Sequence, residues 1–294
     1  MLTSAQARAR WDVIVVGAGH NGLTAGAMLA RAGLATLVVE RRDVAGGCCV
    51  TEEIAPGCRA STTSYIASML RPEVIRGLQL GRHGLRMIPC EPSVQVALDD
   101  GEVLALWADA GRTAAEIGRF SPADARAFLA ADTELRALAA RLQPLFTQLP
   151  PDTRATGLRG YRELLRLGRS LRRVRGTELD GLTRLLTGSL GQFIDARLES
   201  PQAKALLLAN NLYGKHGGPY QPGTLLGLAF HLLSGGEQAE QGFFGHVLGG
   251  MGAISDAIAS AGRAAGMQVA TGAPVATILV RGGRATGIAL EDCT

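Results

Sequence analysis

Three features of the sequence predict an α/β chain, a Rossmann-like dinucleotide-binding domain interrupted by a largely helical insertion. First, the apolar run Val13-Ile14-Val15-Val16 breaks at Gly17-Ala18-Gly19-His20-Asn21-Gly22, and a small-residue helical pattern follows to Gly33. Second, another apolar run, Thr36-Leu37-Val38-Val39, ends on Glu40 and is followed by Gly46-Gly47. Third, the helical pattern of residues 109–212 gives way to strand and hairpin patterns again after Gly249. Strand, glycine turn, helix and second strand ending on an acid form a dinucleotide clamp in chain order.

Each residue type in the clamp has a physical reason. Gly17 permits a sharp turn from strand into helix, Gly19 lets backbone approach a diphosphate, and Gly22 lets the helix pack close to the strand. Ala18, His20 and Asn21 complete the loop, whose N–H groups and helix dipole favour an anion. His20 either donates to that anion or points to solvent. Glu40 stands where an acid accepts the hydroxyls of an adenosine ribose and disfavours a 2′-phosphate. Arg41 and Arg42 could soften that repulsion, or sit in a solvated turn. The extension to Gly46-Gly47 selects a flavin over a nicotinamide dinucleotide.

Along the rest of the chain, residues 48–70 read as irregular and Ser/Thr-rich, and a short helix begins near Pro72. Val94, Val96 and Leu98 alternate up to Asp99-Asp100-Gly101 and resume at Val103-Leu104, a hairpin pattern. Ser121-Pro122-Ala123-Asp124 is a helix start with Ser as N-cap and Pro at the first position. Pro150-Pro151 breaks the chain before a second helical block, and a third runs from Pro201 to Leu212. Gly249-Gly250-Met251-Gly252 precedes a helix ended by Gly266, then a strand at Gln268-Val269-Ala270 and a hairpin turning at Gly282-Gly283. The resulting division is 1–70 for the first part of the nucleotide domain, 71–240 for a substrate or cap region, and 241–294 for the second part.

Composition narrows the function classes. The 294 residues are 47% hydrophobic and 19% charged, with a net charge of +4, which requires no nucleic-acid partner. Aromatic residues are 4%, too few for a base-stacking platform. Cys48, Cys49, Cys58, Cys90 and Cys293 make no CxxC pair and no metal-ligand spacing, so no metal is expected. The expected compartment is cytoplasmic, with a mitochondrial matrix as the alternative for a eukaryotic source. In the second helical block Arg159, Arg162, Arg166, Arg169, Arg172 and Arg173 stand among Leu158, Tyr161, Leu164, Leu165, Leu171 and Val174. Such a helix either makes a peripheral membrane contact or presents a solvated face. His216, beside Lys215, and His231 are candidate bases or structural residues, and no side chain stands out as catalytic.

Gly17-Ala18-Gly19-His20-Asn21-Gly22, Glu40 separated by five residues from Gly46-Gly47, and Val50-Thr51-Glu52-Glu53 resemble the phytoene desaturase-like FAD-dependent oxidoreductases. Within them the resemblance is to the branch of pyridine nucleotide-disulfide oxidoreductase domain-containing proteins. Ser64-Tyr65, Leu70-Arg71-Pro72, His83-Gly84-Leu85, Pro219-Tyr220-Gln221-Pro222-Gly223-Thr224 and Gly249-Gly250-Met251-Gly252-Ala253 extend it over the whole chain. It implies a glutathione reductase-type domain holding FAD, with the Gly17 loop on the pyrophosphate, Glu40 on the ribose and Gly46-Gly47 on the ribityl side. Val275 would meet adenine through its backbone. The implied chemistry is hydride transfer from a C–H of a small apolar substrate to flavin, with the electron acceptor and oligomeric state open. A non-catalytic FAD-binding or regulatory protein is the alternative, and an NAD-dependent dehydrogenase a third. Members of the family are longer and close the site with a C-terminal segment. The chain is therefore expected to be an N-terminal portion, with Glu291-Asp292-Cys293-Thr294 as a hairpin cut at its turn. Flavin disulfide reductases place a closely spaced cysteine pair after the Gly-Gly. Here Cys49 stands near the first position but Ile54 occupies the second, which argues against disulfide reduction.

Overall fold

A computed structural model describes residues 10–146, 149–152, 154, 157–171, 176–209, 217–228 and 245–291. The chain divides into two compact units, Met1–Pro89 with Gly245–Thr294, and Cys90–Phe244.

The first unit opens with β1 (Val13–Val16), α1 (His20–Arg31) and β2 (Thr36–Val39). Next come β3 (Thr51–Ala55), β4 (Cys58–Ser61), α2 (Pro72–Gly77), a 3-10 turn at Leu80–His83 and β5 (Met87–Pro89). Beyond the insertion lie β6 (Gly245–Val247), α3 (Gly252–Ala264), β7 (Gln268–Ala270), β8 (Val275–Arg281) and β9 (Arg284–Leu290). The β1, β2 and β7 strands form a parallel sheet in that order, with Val13 opposite Thr36 and Leu37 opposite Gln268.

Strand alternation builds three layers around this sheet. Val15 and Val38 face α1 and α3, where Leu23, Ala27, Ile254, Ala257 and Ile258 form one core. Ile14, Leu37 and Val39 face the other way, against Ala270, Ala273, Val275, Ile288 and Leu290. The parallel sheet therefore lies between two helices and the β8–β9 hairpin, which explains why Thr36–Val39 is buried throughout and reads as a continuous apolar run.

Two expectations about this unit are corrected. Residues 51–61 are not irregular, though 62–70 are: β3 and β4 pair antiparallel, Thr51 opposite Ser61, around a turn with Gly57 at φ +74. Ile54 is 63% exposed, so the hairpin has no apolar face to betray it in sequence. The first break falls after Pro89 rather than at residue 70. Leu78, Leu80 and Leu85 are buried in the same core as α3, and β5 pairs antiparallel with β6, Met87 opposite Val247. His83 Nδ1 lies 2.9 Å from Ser260 Oγ, tying the 3-10 turn to α3.

In the second unit the hairpin Val94–Ala97 and Val103–Leu106 turns through Gly101 at φ +84. Helices at Ala110–Gly118, Pro122–Phe146, Gly157–Leu171, Thr177–Thr187, Leu190–Asp195 and Pro201–Ala209 follow. Leu104, Ile117, Leu185, Leu190, Ile194 and Leu206 make its core. Ser121 Oγ accepts from the Asp124 N–H at 3.1 Å, the cap the sequence predicts. The buried Asp124 carboxylate accepts from the N–H groups of Glu199 (2.9 Å) and Ser200 (2.7 Å), fastening the start of Pro201–Ala209 to the long helix. The motif at Pro219–Thr224 is structural within this unit. Thr224 Oγ1 accepts from Leu190 N–H at 3.0 Å, and Tyr220 OH donates to Asp195, which also pairs with Lys204. The side chain of Arg159, and Arg172, Arg173, Val174, Lys215, His216, His231 and Asp292–Thr294, lie outside the described residues.

Candidate dinucleotide site

Backbone conformation and space fix three of the predicted glycines, Gly17 and Gly22 in the turn from β1 into α1 and Gly46 beyond β2. Gly17 has φ +100, a conformation that L side chains rarely adopt, and its N–H donates to Val39 O at 2.7 Å. Gly22 is fixed by space: a Cβ there would lie 2.1 Å from Gly17 O and 3.3 Å from Val15 Cγ1. Gly46 is fixed by both, with φ +135 and a Cβ position 2.5 Å from Cys49 O.

Gly19 is different. Its φ of −68 and ψ of 166 suit any residue, and a Cβ on it would meet only Gly47 Cα, at 3.9 Å. Nothing among the described residues requires a glycine there. The space a side chain would fill lies over the start of α1, where no side chain caps the helix and no acid stands in the first turn. An unfilled cradle over an uncapped helix N-terminus fits a diphosphate.

Glu40 closes the site from β2. The residue is 8% exposed; its carboxylate Oε2 accepts from Ala18 N–H at 2.9 Å and Oε1 from Arg42 N–H at 3.0 Å. One N–H per oxygen leaves each with a free lone pair, the capacity needed to accept two ribose hydroxyls. Gly46 N–H donates to Ala18 O at 2.8 Å and Gly46 bridges Gly19, so both glycine loops converge on Ala18. Ala273 N–H donates to Glu40 O and Gly272 N–H to Arg42 O, both at 2.8 Å, which brings the approach to Val275 alongside the acid. His20 is half-buried, and its ring has no partner among the described residues. Asn21 is exposed, and so is Arg41. Arg42 does not sit free in a solvated turn: it pairs with Glu52. The Thr62 hydroxyl, against a burial cost, and then Arg42 hold the Glu52 carboxyl below its ordinary range.

Sequence reading missed the residues that brace the Gly46-Gly47 loop. Thr51 Oγ1 accepts from Gly252 N–H and Ser61 Oγ from Met251 N–H, both at 2.9 Å, so the β3–β4 hairpin caps α3. Ser255 Oγ donates to Cys49 O at 2.8 Å. The signal was present: Gly249-Gly250-Met251-Gly252 opens a helix with no capping side chain of its own. Beside these caps, Arg59, Tyr65, His246 and Gly250 line a cleft of about 450 Å³. Cys48 and Cys49 are both free thiols. Burial first, then the neighbouring Cys48, pushes the Cys49 thiol up. Among the described residues no cluster of His, Cys, Asp and Glu could hold a metal ion, and no helix is long and apolar enough to cross a membrane.

Residues 15–74 match the family model of the NAD(P)-binding Rossmann-like domain. The chain is 37% identical to pyridine nucleotide-disulfide oxidoreductase domain-containing protein 2 of Mus musculus, over 96% of this chain and 51% of that protein. It is 30% identical to hydroxyneurosporene desaturase of Cereibacter sphaeroides, over 95% of this chain and 53% of that protein. A putrescine oxidase variant shares its fold with a TM-score of 0.57 at 21% identity, over 96% of this chain and 55% of that one. The chain thus spans about half the length of the curated relatives it matches.

Proposed function

We propose that this chain belongs to the phytoene desaturase-like FAD-dependent oxidoreductases and forms the FAD-binding half of a dehydrogenase or desaturase acting on an apolar substrate. The observation that carries the cofactor reading is the combination of the unfilled space at Gly19 with the half-satisfied Glu40 carboxylate. In this reading Gly17–Gly22 holds the diphosphate by backbone N–H groups and the helix dipole. Glu40 accepts the ribose hydroxyls while fixing Ala18, and so couples ribose binding to the shape of the phosphate loop. Gly46-Gly47, Arg41 and the backbone at Val275 flank the remaining length of the dinucleotide. FAD, when bound, supplies the hydride-accepting ring, and the protein's part is positioning, electrostatics and exclusion of water. Removal of a hydride from a substrate C–H is supported by kinship with a named desaturase.

The test is a titration of FAD into the purified chain, read as quenching of flavin fluorescence, with ADP and NADH as competitors. Saturable quenching reversed by ADP supports the reading. NADH binding without FAD binding would make the protein a nicotinamide enzyme. For the whole protein, anaerobic bleaching of bound flavin by an apolar hydrocarbon supports dehydrogenation. Bound flavin that no such substrate bleaches would leave an FAD-binding interaction protein.

A further inference from the structure

The helix Gly157–Leu171 has two unlike faces. At roughly 100° per residue, Leu158, Tyr161, Leu164, Leu165 and Leu167 fall on one side and Arg162, Glu163, Arg166 and Arg169 on the other. In a globular helix the apolar side is buried against the core. Here Leu158 is 84% exposed, Tyr161 63%, Leu164 57% and Leu165 39%. The two faces meet in an open cleft of about 650 Å³, where Leu158 and Leu165 stand beside Arg162, Arg166 and Arg169, with Glu163 the one acid among the described residues that line it.

We propose that this helix docks the protein on an anionic phospholipid bilayer, lying in the plane of the interface. Its exposed leucines and Tyr161 enter the boundary between headgroups and acyl chains, and the arginines bordering them take the lipid phosphates. Arg162 and Arg169 lie nearest the apolar arc. Their long stems follow apolar surface while the guanidinium groups stay with the headgroups. Charge selects this occupant over a second copy of the chain, because antiparallel pairing of two such helices would set one cationic rim against another. The inference does not depend on the cofactor reading, since vesicle binding is measured on the chain without flavin.

The experiment is co-sedimentation of the chain with vesicles of phosphatidylcholine alone and of phosphatidylcholine mixed equally with phosphatidylglycerol. Binding to the mixed vesicles only, weakened by added salt, is expected. Each basic residue near an anionic surface contributes about fivefold in affinity, so Arg162→Gln with Arg169→Gln should weaken binding about thirtyfold. Leu158→Gln should weaken it about tenfold or more through lost apolar burial. All three positions are exposed, and circular dichroism of the variants should match the parent. Equal sedimentation with neutral vesicles, no sedimentation with anionic ones, or parental binding by the arginine double variant would overturn the proposal. So would a dimer in light scattering that Leu158→Gln converts to monomer, because a second copy would then cover the face.

Discussion

Gly19→Asp separates folding from cofactor binding in a way that no other substitution in the loop does. The new Cβ meets only Gly47 Cα at 3.9 Å, and the backbone at φ −68 and ψ 166 accepts any side chain. The new carboxylate stands at the N-cap of an uncapped helix, which is worth about 0.5–1 kcal/mol of stabilisation through capping and the helix dipole. It also occupies the space assigned to the diphosphate. Loss of two charge-assisted hydrogen bonds at about 1.5–3 kcal/mol each lowers FAD affinity by roughly two to four orders of magnitude. Gly22→Ala is the control, because its Cβ would sit 2.1 Å from Gly17 O. Relief of that overlap moves the loop at a cost of about 2 kcal/mol or more, lowering Tm by about 5 °C. The assays are thermal unfolding without flavin and the fluorescence titration. Gly19→Asp should keep or raise Tm and lose FAD, and Gly22→Ala should lower both. A Gly19→Asp variant that binds FAD like the parent, or unfolds more readily than Gly22→Ala, would refute it.

Other expectations follow from individual contacts. Glu40→Gln turns an amide NH₂ toward one of the two N–H donors now bound by the carboxylate, leaving a buried donor unpaired at about 1–3 kcal/mol. FAD affinity should fall at least about tenfold with secondary structure retained by circular dichroism. Burial pushes the Asp124 carboxyl up, but hydrogen bonds from Glu199, Ser200 and Ser121 outweigh it and hold the group below its ordinary range. Its folded value lies below its unfolded one, so its stabilisation is complete above an unfolded pKa of about 3.9 and is lost as pH falls through the folded value. Asp124→Asn should cost about 1.5–3 kcal/mol at neutral pH in denaturant melts and flatten the acid limb of stability. With Cys49 buried and its thiol pushed up, iodoacetamide near neutral pH should label Cys48 well ahead of Cys49 by peptide mass mapping. Cys48→Ser with Cys49→Ser should still bind FAD, whereas loss of flavin on that change would revive a role for the pair.

How far the sequence could be read depended on whether each constraint is local. The β1–α1–β2 clamp was legible because strand alternation, the glycine turn and the terminal acid all act within neighbouring residues. The cap at Ser121 and the turns at Gly101 and Gly282-Gly283 were legible for the same reason. The β3–β4 hairpin was not, since Glu52, Glu53 and Ile54 show no apolar alternation and its purpose is to cap a helix some two hundred residues away in sequence. The placement of residues 72–89 with the first unit was hidden likewise, because it depends on pairing β5 with β6 across the whole insertion. Arg42 read as a solvated turn residue because its partner Glu52 arrives only when β3 folds back. The amphipathic pattern of Gly157–Leu171 was plain in sequence, but only the fold shows its apolar side facing outward.

The most direct measurement is a crystal structure of the chain grown with FAD. Density for the diphosphate is expected over Gly17–Gly22, filling the space beside Gly19, with the adenosine ribose hydroxyls on the Glu40 carboxylate. Flavin bound elsewhere while that cradle stays empty, or a Glu40 that makes no contact with the ribose, would contradict it.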